Sequence, residues 1–252
     1  MFLLLAQMPT LKDAVSVLRC YSTQCSELTV TDVAQRLSLP KSNVSRLLRS
    51  MREVGLLESA REGRGYCPGV MLLGFGQIAN ASQGLGVRAN AAVQALSDRS
   101  GHSGFVSARV GAEMVGLTHH MGRNPLKVGL TLGHRLHIDA CATGRALLAT
   151  MPNDQVSSLL GGKVSRAGEQ SPASMKELFS RLEVVRSCGY AESHSEAGKG
   201  VGAVAVAVSD PRTSEVLSMC ITFPQATVDL AERQSLIDQL LRAQSDIMRN
   251  SL

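Results

Sequence analysis

A proline set between two short amphipathic segments constrains this chain more than any other feature. Pro40 has no N–H and disfavours a helical conformation for Leu39 before it, yet it is tolerated in a first helical turn. It therefore ends one helix and lets another begin. From Lys41 to Val54 the apolar residues Val44, Leu47, Leu48, Met51 and Val54 fall on one stripe of a helix. The opposite face is polar and basic, with Ser42, Asn43, Ser45, Arg46, Arg49 and Arg52. On the other side of the proline, Thr31 is the expected N-cap of a shorter helix, Asp32 to Leu37, in which Val33, Ala34 and Leu37 share a face. Two helices joined this tightly predict a helix-turn-helix, whose second helix enters the major groove of double-stranded DNA.

The chain beyond the second helix supports the same reading. Gly55 stops the helix, Leu56 and Leu57 open an extended run, Glu62 to Gly65 make a turn, and Tyr66 and Cys67 return. This is a hairpin wing with Arg61 and Arg64 near its tip. The residues expected to meet DNA are Thr31, Lys41, Ser42, Asn43, Ser45, Arg46, Arg49, Arg61 and Arg64. A single basic helix face is usually only solvated. Turn, proline restart, polar groove face and basic hairpin tip in one order favour DNA.

A length of 252 residues suits two ordinary domains. A formal charge of +5 and a pI near 9.0 fit a small DNA-binding module on a more neutral body, not a protein that coats polyanions. The absence of Trp and the scarcity of other aromatics argue against stacking platforms for single strands. The six cysteines, Cys20, Cys25, Cys67, Cys141, Cys188 and Cys220, show no C-x-x-C pair or zinc spacing, which fits a reduced, cytoplasmic protein. The apolar opening Met1 to Ala6 lacks a cationic start and a cleavage pattern, and no run reaches the length of a membrane span.

In chain order, Thr10 is expected to cap a first helix that buries Leu11, Ala14, Val15 and Leu18. After the wing, Gly69 to Asn80 is apolar around almost the whole helix circumference, so its expected cover is the same helix of another subunit. A helix over Val87 to Ser97, with Val87, Ala91, Ala92 and Leu96 inward, leads to strands at Gly104 to Val110 and Glu113 to Thr118. A helix starting at Gly144, another capped by Asn153, and a third from Ser174 to Ser187 stopped by Gly189 follow. Ala203 to Val208 and Val216 to Phe223 form an antiparallel pair around Asp210 to Arg212, and a last helix runs from Val228 to Arg249. This order of helices and strands is that of an α+β domain.

Five segments in this order resemble one family over residues 9 to 250: LTVTDVAQRLSLPKSNVSRLL, the wing ending Gly65-Tyr66, LHIDACATGRALLA, Cys188-Gly189-Tyr190-Ala191, and the strand entry from Gly200-Val201 to Val208. The chain is identified as similar to the IclR-type transcriptional regulators. The resemblance implies an N-terminal winged helix-turn-helix over 9–68, a linker helix over 69–83 and a C-terminal GAF-like α/β effector-binding domain over 84–252. It also implies homodimers or dimers of dimers, no cofactor and no enzymatic activity. Its effector site maps onto Ala142, Thr143 and Gly144 at a helix N-terminus, where free N–H groups and the helix dipole attract a carboxylate. The rest of that site maps onto Ser193, Ala203, Cys220 and Thr222. Ser193 replaces an acid and Ala203 a cysteine found in relatives, which shifts the expected ligand from a short 2-oxo acid toward a bulkier or aromatic small-molecule carboxylate.

Two other functions compete. Five of the six histidines, His102, His119, His120, His134 and His137, fall close together, inviting a metalloenzyme. No H-x-x-x-H or H-E-x-x-H occurs and no G-x-S-x-G is present, so no metal or catalytic residues are assigned. A redox-sensing regulator is the second rival, through Cys20 with Cys25 or Cys141 with Cys220.

Overall fold

The structure is a computed structural model and describes residues 11–21, 25–60, 63, 65–82, 84–123, 135–168, 170–196 and 198–249. Thr10 and His134 lie outside the described residues, as do Arg61, Glu62 and Arg64 of the expected wing tip. The chain divides into two compact units, residues 1–82 and 83–252.

The first unit opens with α1 (Leu11–Leu18), α2 (Val30–Leu37) and α3 (Lys41–Glu53), followed by the antiparallel strands β1 (Leu57–Ser59) and β2 (Tyr66–Pro68). Its core gathers Ala14 and Val17 from α1, Val33 and Ala34 from α2, and Val44, Leu47, Leu48 and Met51 from α3, closed by Leu28 and Leu57. Helix α1 therefore buries Ala14 and Val17, while Leu11 and Val15 are exposed. The inward turn at Val17 follows from spacing i, i+3, i+4 with Ala14 and Leu18. Val54 is exposed too, because α3 ends at Glu53 and Gly55, at φ +79°, turns the chain away.

Helix α2 corrects the expected cap. It starts at Val30, with Thr29 and not Thr31 at the N-cap. The reason is the acid three residues on. Asp32 accepts from the Thr29 amide at 2.8 Å and from its hydroxyl at 2.7 Å, and the Asp32 amide donates to Thr29 Oγ1 at 3.3 Å. That reciprocal box satisfies free amides that Thr31, with no acid at the matching position, leaves open. The turn that follows places Ser38 in the left-handed region, and α3 restarts with Pro40 at its N-cap. The unit closes with α4 (Val70–Ser82), on which Val70, Leu73, Phe75 and Ile78 are exposed.

The second unit is built on a six-stranded, wholly antiparallel sheet. Its strands are β3 (Ser103–Val110), β4 (Glu113–His120), β5 (Arg135–His137), β6 (Ala191–His194), β7 (Val201–Asp210) and β8 (Glu215–Pro224), in the order β5-β4-β3-β8-β7-β6. Period-two alternation sorts the side chains onto two faces. Val204, Val206, Val208, Leu217, Met219 and Ile221 pack with α5 (Gly84–Ser100) and α9 (Leu230–Arg249). On the other face Phe105, Ala203, Ala205 and Cys220 meet α6 (Ala142–Ala149), and α7 (Asn153–Leu160) and α8 (Met175–Cys188) pack beside it.

Three helical expectations in this unit change. Helix α5 turns Leu85, Ala89, Val93 and Leu96 inward, leaving Val87 and Ala91 exposed. In an alanine-rich helix the neighbouring sheet, and not the bulk of Val87, selects the face. Helix α6 begins at Ala142 with Cys141 as its cap, two residues before the expected start at Gly144. Pro152, not Asn153, precedes α7, and Asn153 instead accepts from Arg186 Nη2 at 2.9 Å.

Candidate nucleic-acid interface and effector site

Helix α3 presents the polar, basic face that the sequence indicated. Its buried stripe fixes the rotation of the helix, so Lys41, Ser42, Arg46 and Arg49 are exposed, and Asn43 and Ser45 half-exposed, on the opposite side. Asn43 Oδ1 accepts from Arg46 Nη2 at 2.9 Å, which holds the guanidinium fork along the helix. Arg52 differs from the other arginines. Its Nη1 donates to Ser59 Oγ at 3.3 Å, tying α3 to the first wing strand. Thr31 is exposed in the first turn of α2. The wing root is fixed by Leu28, which exchanges backbone hydrogen bonds with Tyr66. Gly65 lies close under the Glu27 side chain, where a Cβ would come within 2.4 Å of Oε1 and displace that carboxylate.

In the second unit the pairing register brings distant residues together. Ser193 pairs with Ala203, and Ala203 with Thr222, so these stand side by side on β6, β7 and β8. Cys220 lies two residues along β8 on the same face and packs with Ala142 and Ala203. Thr222 Oγ1 donates to the Ser103 carbonyl at 3.3 Å. Ala142 and Thr143 open α6 ahead of its i→i−4 ladder, and among the described residues no backbone partner takes their amides. The Gly144 amide is different: it donates to Cys141 Sγ at 3.3 Å and is thereby occupied. Gly144 is needed for packing, because a Cβ would sit 1.8 Å from the Ile138 carbonyl in the 3-10 turn Ile138–Ala140.

Electrostatics make the site a neutral one. Burial pushes the Cys220 thiol up to about 12, against an opposing hydrogen bond from Thr143, and burial pushes Cys141 up to about 11. Both are protonated at neutral pH and inert as nucleophiles.

Two features of this unit escaped the sequence reading. The first is His119, whose ring stacks on Phe105 with centroids 4.5 Å apart and 5° between planes. Phe105 is the register partner of both His119 and Cys220, so the stacked pair extends the row that includes the thiol. Burial, then the neighbouring His120, holds the imidazole below its ordinary range, and its buried Nε2 has no partner among the described residues. The alternation of β4 was the available signal, but only register shows what it faces. The second is Arg145, 3% exposed, whose Nη1 meets Glu196 at 2.5 Å and whose Nη2 donates to the Glu192 carbonyl at 2.6 Å. This pair lines a cleft of about 360 Å³ beside β6 and α8 to which none of the residues assigned to the effector contributes. Within it Arg145 and Arg181 both pair with Glu196. Among the described residues no group of three or more His, Cys, Asp or Glu stands together as a metal site, and no helix is long and apolar enough to cross a membrane.

A helix-turn-helix with an exposed basic face and a hairpin wing, followed by an antiparallel sheet domain, defines a DNA-binding transcriptional regulator. Residues 10–61 match the IclR helix-turn-helix domain, and residues 79–249 match the family described as bacterial transcriptional regulator IclR C-terminal. The chain belongs to the IclR family. It is 26% identical over 235 residues to the HTH-type transcriptional regulator XynR of Escherichia coli K12, covering 93% of each chain. The fold is shared with the IclR transcriptional regulator of Alicyclobacillus acidocaldarius, at TM-score 0.86, 21% identity and coverage of 98% of this chain and 100% of that one. It is shared also with an IclR homolog from Microbacterium hydrocarbonoxydans complexed with 4-hydroxybenzoate, at TM-score 0.80, 19% identity and coverage of 95% and 97%.

Proposed function

We propose that this regulator binds its operator through residues 9–68 and is controlled by a small organic acid, aromatic in character, held in residues 84–252, with residues 69–83 as the linker between them. On this reading Lys41, Ser42, Asn43, Ser45, Arg46 and Arg49 of α3 read or flank the major groove. Thr31 belongs to the same interface, and Arg61 and Arg64 meet the backbone or the minor groove. The observation that carries the effector half is the convergence of two unpaired α6 amides with the row Ser193, Ala203 and Thr222. The amides of Ala142 and Thr143 meet the carboxylate, with Gly144 shaping the turn, and Cys220 lines the floor. The flat, uncharged Phe105–His119 stack favours an aromatic ring over a short aliphatic chain. The 4-hydroxybenzoate held by the Microbacterium homolog supports the same ligand class.

A thermal-shift series of aromatic and aliphatic monocarboxylates on the full chain tests this. A ligand at a hundred times its Kd stabilises by about 2.7 kcal/mol. Thr222→Val removes one hydroxyl at nearly constant shape, and Ala203→Leu fills the floor, so both variants should lose the shift produced by the best acid and keep effector-free DNA binding. An unaltered response from both would move the ligand elsewhere in the domain.

The second half of the proposal concerns assembly. Val70, Leu73, Phe75 and Ile78 leave α4 with an apolar surface that water penalises, and a second copy of the same helix covers it. The operator then has two half-sites about one helical turn or a multiple apart, ~34 Å per turn. Leu72→Glu or Phe75→Glu should sediment as a monomer where the wild type sediments as a dimer or dimer of dimers. A monomeric wild type at micromolar concentration would remove this part of the proposal.

A further inference from the structure

Cys20, Cys25 and Cys67 all belong to the first unit, and none of them is fully buried. Cys20 follows the last turn of α1, and its Sγ donates to the Ser16 carbonyl at 3.3 Å. The guanidinium of Arg36, on the last turn of α2, links it to Cys25: Nη1 donates to the Cys20 carbonyl at 2.7 Å and Nη2 to Cys25 Sγ at 3.1 Å. One rigid planar fork thus holds both residues at its tips. Cys67 is placed differently, its Sγ directed to the Glu58 carbonyl across the wing. The buried thiols of Cys141 and Cys220 are removed from such chemistry by the burial already described.

We propose that Cys20 and Cys25 are an oxidisable pair, closed into a disulfide by hydrogen peroxide, which weakens DNA binding by disturbing the root of the wing. The Cys25 thiolate attacks one peroxide oxygen, the O–O bond breaks, and the departing hydroxide takes a proton to leave as water, giving the Cys25 sulfenic acid. The Cys20 sulfur then gives up its proton and attacks the Cys25 sulfur. The S–S bond forms, the S–O bond breaks, and the hydroxyl leaves with that proton as a second water. Two thiols lose two electrons and two protons, and one peroxide becomes two waters.

The route to DNA runs through Tyr66. Tyr21, next to Cys20, donates its hydroxyl to the Tyr66 carbonyl at 3.1 Å. Leu28, three residues beyond Cys25, accepts from the Tyr66 amide at 2.8 Å and donates to the Tyr66 carbonyl at 3.0 Å. Both cysteine-bearing segments therefore converge on the first residue of β2. Drawing Cys25 onto Cys20 breaks the Arg36–Cys25 contact and moves both supports of that residue.

The inference needs DNA binding by the winged unit but no effector, so it stands or falls apart from the ligand proposal. Full-length reduced protein would be used to enrich a binding duplex from a random pool, and that duplex titrated by fluorescence anisotropy before and after peroxide. Oxidised wild type should bind about tenfold more weakly, within the range of ordinary coupling between sites, and dithiothreitol should restore it. The tryptic peptide carrying both cysteines should lose two hydrogens and resist alkylation. Cys20→Ser and Cys25→Ser should abolish the response, and Cys67→Ser should keep it. No bridge in the wild-type peptide, a bridge with unchanged affinity, or a peroxide response in Cys25→Ser would each overturn the proposal. The first two outcomes need no variant to fold.

Discussion

The Arg46→Ala, Arg49→Ala double variant should bind an enriched operator duplex far more weakly than wild type while keeping its circular dichroism spectrum. Both side chains are exposed on α3, opposite the stripe of Val44, Leu47, Leu48 and Met51, so truncation leaves the core of the unit intact. An arginine fork on a guanine edge contributes about 1 to 3 kcal/mol, a ~5- to 150-fold change in affinity for each such contact. Arg46 is the stronger candidate for base reading because Asn43 already orients it. For a base contact, its loss falls on one base pair. For a phosphate contact, all sequences weaken alike and the salt slope drops by about 1. Operator binding at wild-type strength by the folded double variant would remove α3 from the interface.

The largest effect on stability is expected at Arg145. Replacing it by Met leaves Glu196, only 4% exposed, without the guanidinium that meets both its oxygens. Removing one partner of a buried ion pair typically costs about 3 to 5 kcal/mol, since the remaining charge has lost its solvent as well as its partner. Arg181 still reaches Glu196 Oε1 at 3.3 Å from a half-exposed position, which places the expected cost toward the lower end of that range. Urea unfolding of the full chain would measure it. Adding Glu196→Leu to the variant should recover most of the loss, because the orphaned charge then disappears. A single variant as stable as wild type would mean that the pair is hydrated in solution and contributes little.

The first unit was readable because its contacts are short in sequence. The stripe of α3, the restart at Pro40 and the stop at Gly55 each act within a turn or two of chain, and they are where the sequence indicated. The displaced cap shows the limit of that reading. The hydroxyls of Thr29 and Thr31 are equally able to accept from a helix-start amide, and only the acid at Asp32 chooses between them. In the second unit the determinants are long-range. Ser193, Ala203 and Thr222 become neighbours through strand register, which no local periodicity encodes, and they were assigned from resemblance alone. For the same reason Phe105 and His119 could not be paired beforehand, nor could Arg145 be matched with an acid 51 positions away. Helix α5 was misoriented because its alanines carry almost no preference for one face.

The pairing of β3 with β8 at the centre of the sheet has a consequence for how the chain is made. Residues 103–110 have no central partner until residues 215–224 have been synthesised, and α9 must follow to cover their apolar face. The winged unit, by contrast, completes its core from residues 14–57. At ~5 to 20 residues per second on the ribosome, the residues of this core are all synthesised well before the sheet domain closes. A message cut short after residue 82 therefore encodes the winged unit without the sheet domain, and a nonsense mutation in the second half need not have the phenotype of a deletion.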